Sequence, residues 1–445
     1  MERSAPLATP LDDSWQAIWR LSWPLLLSMS VGAASLLIDS WMAGWIGSTA
    51  QAAVSLAGQV AFLYIATTSV VTIGVTALVA RAVGAQDWPL ARSVAGQAMW
   101  LAMAVAVLLG LPLYVFGPHL LAGLGIGPEV LVMVRQYLHV SIAAVPALAA
   151  WGITAALLRS LGDSRSQLVA SALSAVAIVS IEGYAVHAGW GVPGLALGAT
   201  VGDWLAVGYG WWRLLKGPLG DGLRRWPPLI PEVLGRIGRV GLPAGVQGLL
   251  RSGASLVFSS AVARAPSSTA VLASLTIGMR VESLSFLPAF ALGMAAATLV
   301  GHSLGAHRPD QAKRQAWRVM GAALVLCLPI SLIFVFAGHW LAMRFSTDPA
   351  VITHATHYLW WMGLTEPMLV AAIIGTQVLQ GAGATRYPLL VTICSLYLFR
   401  LPLAYALVPI YGATGAWMAM AASMVINGVM VTTRVWQGSW VKTAV

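Results

Sequence analysis

Twelve apolar segments follow one another along this chain, most of them about 20 to 28 residues long, which is the length a helix needs to cross a hydrocarbon core. They fall at about residues 20–47, 54–80, 93–116, 130–158, 165–188, 192–214, 236–264, 269–301, 316–342, 351–378, 387–410 and 412–434. Backbone groups inside a bilayer must find their partners within the protein, so only helices and closed barrels can span it. None of the segments alternates apolar and polar residues as a barrel strand does, which leaves helices. Composition agrees: 58% of the residues are hydrophobic and 9% are charged, too little polar surface to cover a soluble globule of this length. The sequence predicts an all-α membrane protein of twelve transmembrane helices.

The net charge of +10 does not point to nucleic acid, because the basic residues concentrate in alternate loops. Nineteen of them, Arg3, Arg20, Arg81, Arg92, Arg159, Arg165, Arg213, Lys216, Arg224, Arg225, Arg236, Arg239, Arg308, Lys313, Arg314, Arg318, Arg386, Arg434 and Lys442, lie at one set of segment ends, against Arg135, Arg264 and Arg344 at the other. The positive-inside rule then places both termini in the cytoplasm, as an even number of spans requires, and the chain in the inner membrane. The first nineteen residues are polar and contain Pro, so no cleavable signal peptide is expected. Cys327 and Cys394 lie in apolar segments without metal or disulfide spacing and are expected to pack in the core.

A repeat runs through the chain at an offset of 221 residues. It pairs Gly84-Ala85 with Gly305-Ala306, Pro128 with Pro349, Tyr137-Leu138 with Tyr358-Leu359, Pro146 with Pro367, Gly162 with Gly383, Arg165 with Arg386, Gly191 with Gly412 and Gly194 with Gly415. Pro24 and Pro243 fit with a two-residue slip. The chain is expected to hold two six-helix lobes, residues 20–214 and 236–434, joined by a cytoplasmic linker at 215–235 and flanked by tails at 1–19 and 435–445. Six is even, so both lobes take one orientation, which predicts a pseudo-two-fold axis along the membrane normal and transport by alternating access. No Walker A loop, paired His/Glu zinc spacing or G-x-S-x-G elbow occurs, so no enzyme and no cofactor is expected, and a gradient must supply the energy.

Asp39 is the only Asp, Glu, Lys or Arg between Arg20 and Arg81. A charge at the centre of a membrane helix costs about 2.5 to 3.5 kcal/mol on insertion scales, which makes such a residue a functional candidate. Asp39 shares a helical face with Ser28 and Ser35, a polar stripe expected to face the lobe interior. A carboxyl there can take a proton from one side of the membrane and release it to the other; the structural alternative is an Asp that accepts hydrogen bonds from a neighbouring helix. Glu182, Asp203, Glu282 and Glu366 also lie inside segments, as do Arg251, Arg280 and Arg400. Glu182 is expected to share a proton or ion site with Asp39. Asp203 fits lobe packing or a site. Arg280 and Glu282, two apart, cannot face each other on a helix, so Glu282 is expected to pair across helices with Arg251, as an ion pair or a substrate site. Glu366 precedes Pro367 and has no repeat-related acid. Arg400 is expected to reach the cytoplasmic side or an acid. Met42, Trp151 and Phe286 are candidates for a cavity wall, and His302 and His307 are read as part of a solvated basic face.

Six stretches together resemble one family. They are "WPLLLSMSVGAASLLIDSWMAGWIG", "ALVARAVGAQDWPLAR" with its repeat partner "TLVGHSLGAHRPDQAKR", "LLRSLGDSR" with "LQGAGATRYP", and "RLPLAYAL", and they resemble the multidrug and toxic compound extrusion (MATE) family over about residues 15–434. The resemblance implies a twelve-helix fold of two lobes, a working monomer, and export of amphipathic, often cationic, drugs and other organic compounds in exchange for protons or sodium ions. The chain looks most like the DinF-like branch, whose first-helix acid matches Asp39. That branch's fifth-helix Asn-x-x-x-Asp reads Ile178 and Glu182 here, and the seventh-helix Glu of the NorM-like branch is Arg251. A sodium ion needs several hard oxygen ligands, and the missing Asn removes one, so protons are the expected coupling ion, with sodium at Asp39 the alternative. The rival reading is a lipid or lipid-linked glycan flippase, for which a cavity rich in Arg would speak.

Overall fold

The computed structural model describes residues 14–122, 126–224 and 228–443. Arg3 and Arg225, with parts of both expected tails and of the linker, lie outside them. Twelve long helices make up nearly all of the described chain: α1 (Trp15–Ile46), α2 (Ser48–Gly84), α3 (Trp88–Ala122), α4 (Pro128–Ser160), α5 (Ser164–His187), α6 (Gly191–Leu215), α7 (Pro231–Val262), α8 (Ser268–Gly305), α9 (Pro309–Phe345), α10 (Pro349–Gly381), α11 (Arg386–Tyr411) and α12 (Ala413–Gln437). Ten of them are long and apolar enough to cross a membrane; α6 and α7, at 25 and 32 residues, are long enough but less apolar. Their outer faces carry exposed Leu36, Leu37, Val325 and Phe336, as a helix bathed in lipid requires. The protein is a multi-pass membrane protein.

Packing divides the chain into two compact units, Trp19–Gly245 and Val246–Val445, the second also taking in the start of α1 up to Ile18. The change of unit falls inside α7. In the first unit the linker region is pinned to α3: Arg92 Nε donates to the Pro218 carbonyl (2.8 Å), and the buried Gln97 donates to the Pro228 carbonyl (2.6 Å) and accepts from Ile230 N (3.2 Å).

The repeat is written into the backbone of both units. Positive φ angles occur at Gln86 and His307 (59° and 56°), at Gly162 and Gly383 (78° and 80°) and at Gly191 and Gly412 (62° and 58°), each pair at the repeat offset. The first two pairs end helices. After α2 the amide of Asp87 bonds back to the Ala82 carbonyl, and after α8 that of Arg308 bonds to Ser303; after α4 and α10 the amides of Asp163 and Ala384 do the same to Leu158 and Leu379. A left-handed residue satisfies carbonyls that the helix end leaves open, and glycine takes that conformation without cost.

Proline also explains how helices within a unit are tied. Proline has no N–H, so the carbonyl four residues earlier loses its helical partner. Pro367 frees the carbonyl of Gly363, and the Ser331 hydroxyl of α9 donates to it at 2.6 Å. Pro24 frees that of Arg20, and Ser164 of α5 donates to it at 3.4 Å.

Candidate functional site

In the first unit α1 faces α5. Ser28 and Ser171 hydrogen-bond through their hydroxyls at 2.7 Å, and near the opposite end of the same pair of helices the Asp39 carboxyl meets that of Glu182. Glu182 is fully buried, and no donor among the described residues holds either of its carboxyl oxygens or Oδ1 of Asp39. Ionised carboxylates are acceptors only, so a hydrogen bond between the two requires a proton on one of them. Beside the pair lies an apolar cluster of Met42, Ala43, Val54, Val192 and Leu195, against which Tyr137 packs.

The pair owes its place to small residues. On α6, Gly194, Gly198 and Gly202 present a face without side chains to Ala185, Glu182 and Ile178 of α5; a Cβ on Gly198 would lie 2.6 Å from Glu182 Cγ. This G-x-x-x-G-x-x-x-G spacing is a known device for close helix approach in membranes. It was legible in the sequence and names Gly198 as the residue that makes room for the acid.

Tyr137 of α4 is the group that sequence reasoning passed over, since it entered only as a repeat landmark. Its phenol lies within electrostatic reach of Asp39, Glu182, Tyr114 and Asp203, and Tyr114 lies within reach of Asp203. Asp203 thus lies within reach of the same two tyrosines. Of the other residues expected near Asp39, Met42 is buried and touches the Gly183 position, while Trp151 sits against Gly210 of α6. Tyr184 is exposed against Trp190, and His187 packs beside Trp45.

The second unit holds a separate constellation. The Tyr358 hydroxyl of α10 donates to Glu282 Oε2 at 2.5 Å, where sequence spacing points to Arg251. Two charged groups lie within electrostatic reach of Glu282, Arg400 of opposite sign and Glu366 of like sign. Tyr358 is also the repeat partner of Tyr137, so the tyrosine is kept in both units while the acids around it differ. Glu366 is fully buried beside Ser285, and no donor of good geometry holds its oxygens. Arg251, Glu282, Phe286 and Arg400 line one cavity of about 350 Å³, whereas Arg280 is exposed on α8 and does not line it. Cys327 and Cys394 are free thiols. His302 is buried and His307 exposed, so only the latter suits a solvated face.

The MatE family profile matches residues 24–182 and 243–406, one segment in each half. The chain belongs to the MatE family. Curated relatives include the probable multidrug resistance protein NorM of Thermotoga maritima, 26% identical over 94% of this chain and 91% of that protein. The multidrug resistance protein PmpM of Pseudomonas aeruginosa is likewise 26% identical, over 93% of this chain and 89% of its own length. Among solved structures, an outward-facing multidrug resistance MATE family transporter of the MOP superfamily superposes with a TM-score of 0.89 at 22% identity, covering 97% of each chain. This MatE protein is therefore a membrane transporter and not an enzyme.

Proposed function

We propose that this MatE protein is a secondary antiporter that expels amphipathic organic compounds in exchange for protons, and that Asp39 and Glu182 are the coupling pair. The observation that carries the reading is the meeting of two carboxyls, one fully buried, where no donor among the described residues holds either Glu182 oxygen or Oδ1 of Asp39. Such a pair holds a proton easily in one conformation and must lose it, or gain a water shell, in another. That is the differential affinity alternating access needs. The relatives' names support multidrug export, and the first-helix acid together with Arg251 at the seventh-helix position supports the DinF-like branch. The reading includes an inner-membrane monomer with cytoplasmic termini and lobes at residues 20–214 and 236–434.

The test uses proteoliposomes loaded with a fluorescent cationic dye under an imposed proton or sodium gradient. Proton-driven movement that disappears in Asp39→Asn is the expected result. Movement driven by sodium alone makes Asp39 an ion ligand and overturns proton coupling. A flippase is the second reading, favoured by the two arginines in the cavity of the second unit; scrambling of a labelled lipid with no dye movement would establish it.

A further inference from the structure

The cavity of the second unit carries more positive charge than the protein answers. Arg251 of α7 and Arg400 of α11 both line it, with Glu282 as the one acid, so the lining holds two cations against one anion. Glu282 is already engaged, since it accepts from the Tyr358 hydroxyl and lies within electrostatic reach of Arg400. Arg400 donates through Nε to Ser423 Oγ at 2.7 Å, and no acceptor among the described residues holds its two terminal amino groups. Arg251 has neither a hydrogen bond nor an ion pair among the described residues, and its charged neighbour is Arg400 itself, a like charge. Arg251 is exposed and Arg400 half-buried, and two guanidiniums with unused donors facing one cavity inside a membrane protein favour an anionic partner between them. A guanidinium fork matches the paired oxygens of a carboxylate or phosphate.

The rest of the lining sets the shape of the ligand. Asn427, whose amide donates to Ser395 Oγ at 3.0 Å, and Ser423 supply polar edges. Phe286, stacked on Phe290 with ring centroids 5.6 Å apart, and Met279, Met420 and Met424 supply a pliable apolar wall. About 350 Å³ is room for a small ring system with its head group. A bare organic cation entering here would meet two positive charges before any free negative one.

We propose that this cavity binds the anionic head of an amphipathic organic molecule, a carboxylate or phosphate, between Arg251 and Arg400, with the apolar body against Phe286 and the methionines. The inference rests on the transport reading for the ligand's route across the membrane, but binding itself needs no gradient, so the two stand or fall separately.

Purified protein in detergent is titrated calorimetrically with 1-naphthaleneacetate and with 1-naphthylmethylammonium, which share a ring system and differ in the sign of the head. The acetate is expected to bind at least about tenfold tighter, the scale of one charge-assisted hydrogen bond. Arg251→Gln should weaken it by about the same factor, Arg251→Lys, which keeps the charge but not the fork, should recover only part of that loss, and Glu282→Gln should not weaken it. Arg251 has no hydrogen bond or ion pair among the described residues, so its variants decide the matter even if Arg400→Gln fails to fold. Dihexanoyl phosphatidate that displaces the acetate at lower concentration than naphthyl phosphate assigns the head to a lipid; the reverse order assigns it to a soluble compound. Equal or tighter binding of the ammonium overturns the proposal, as does acetate affinity unchanged in Arg251→Gln. Either failure leaves proton coupling at Asp39 untouched.

Discussion

On the proposed reading, a proton shared between Asp39 and Glu182 makes the same demand on both residues. Asp39→Asn keeps the shape and one acceptor but cannot ionise, so it should abolish gradient-driven dye movement while the purified protein stays monodisperse. Glu182→Gln should do the same, and the double variant should be no worse than either alone, because residues that act as one unit do not add. Additive partial losses in the dye assay would mean that the carboxyls work separately. Tyr137 tests the surroundings of the pair. Its phenol lies within electrostatic reach of Asp39, Glu182 and Asp203, so Tyr137→Phe should slow proton-driven transport without abolishing it. A hydrogen bond that the phenol makes to the pair only during proton transfer is worth about 1 kcal/mol, roughly fivefold in rate. An unchanged rate would reduce Tyr137 to packing. The acids were legible in the sequence because a charge in an apolar segment stands out. Tyr137 was not, because an aromatic in such a segment is common and only its neighbours across helices give it meaning.

Helix positions came from segment length and hydropathy with little error: the expected spans at residues 192–214 and 387–410 are α6 (Gly191–Leu215) and α11 (Arg386–Tyr411). The larger differences are at α2 and α9, which begin before the apolar runs at residues 54 and 316, since polar first turns are cheap where water reaches the helix end. Contacts between helices were harder to read. Glu282 was matched to Arg251 by proximity in the sequence, yet its hydrogen-bond partner Tyr358 comes from α10, and no periodicity within one helix contains that information. Gly278 of α8 shows what holds this contact, because a Cβ there would fall among the ring carbons of Tyr358. The α5–α6 seam offers the cleaner test. Gly198→Ala puts a methyl against Glu182 Cγ, an overpacking of about 1 to 3 kcal/mol, and should lower the melting temperature and displace the acid. Gly208→Ala, on the same helix with nothing within 4 Å, is the control and should be neutral or slightly stabilising. A melting temperature equal in both variants would show that the seam has slack.

For the whole molecule, the distribution of basic residues predicts an orientation that the fold leaves open. The loop between α8 and α9 is bordered by Arg308, Lys313 and Arg314, and the loop between α9 and α10 holds only Arg344 nearby. Translocating a basic loop against the membrane potential is unfavourable, so the first loop should lie in the cytoplasm and the second outside it. Both are accessible to a reagent, since Asp310 and Thr347 are exposed, and Asp310 is held only by a Lys313 contact at 4.0 Å. Single cysteines are placed there as Asp310→Cys and Thr347→Cys, on a background with Cys327→Ala and Cys394→Ala. In intact cells a membrane-impermeant maleimide should label Thr347→Cys and leave Asp310→Cys unlabelled until the membrane is opened. The opposite pattern would put the basic loops outside and reverse the direction of the proposed proton exchange.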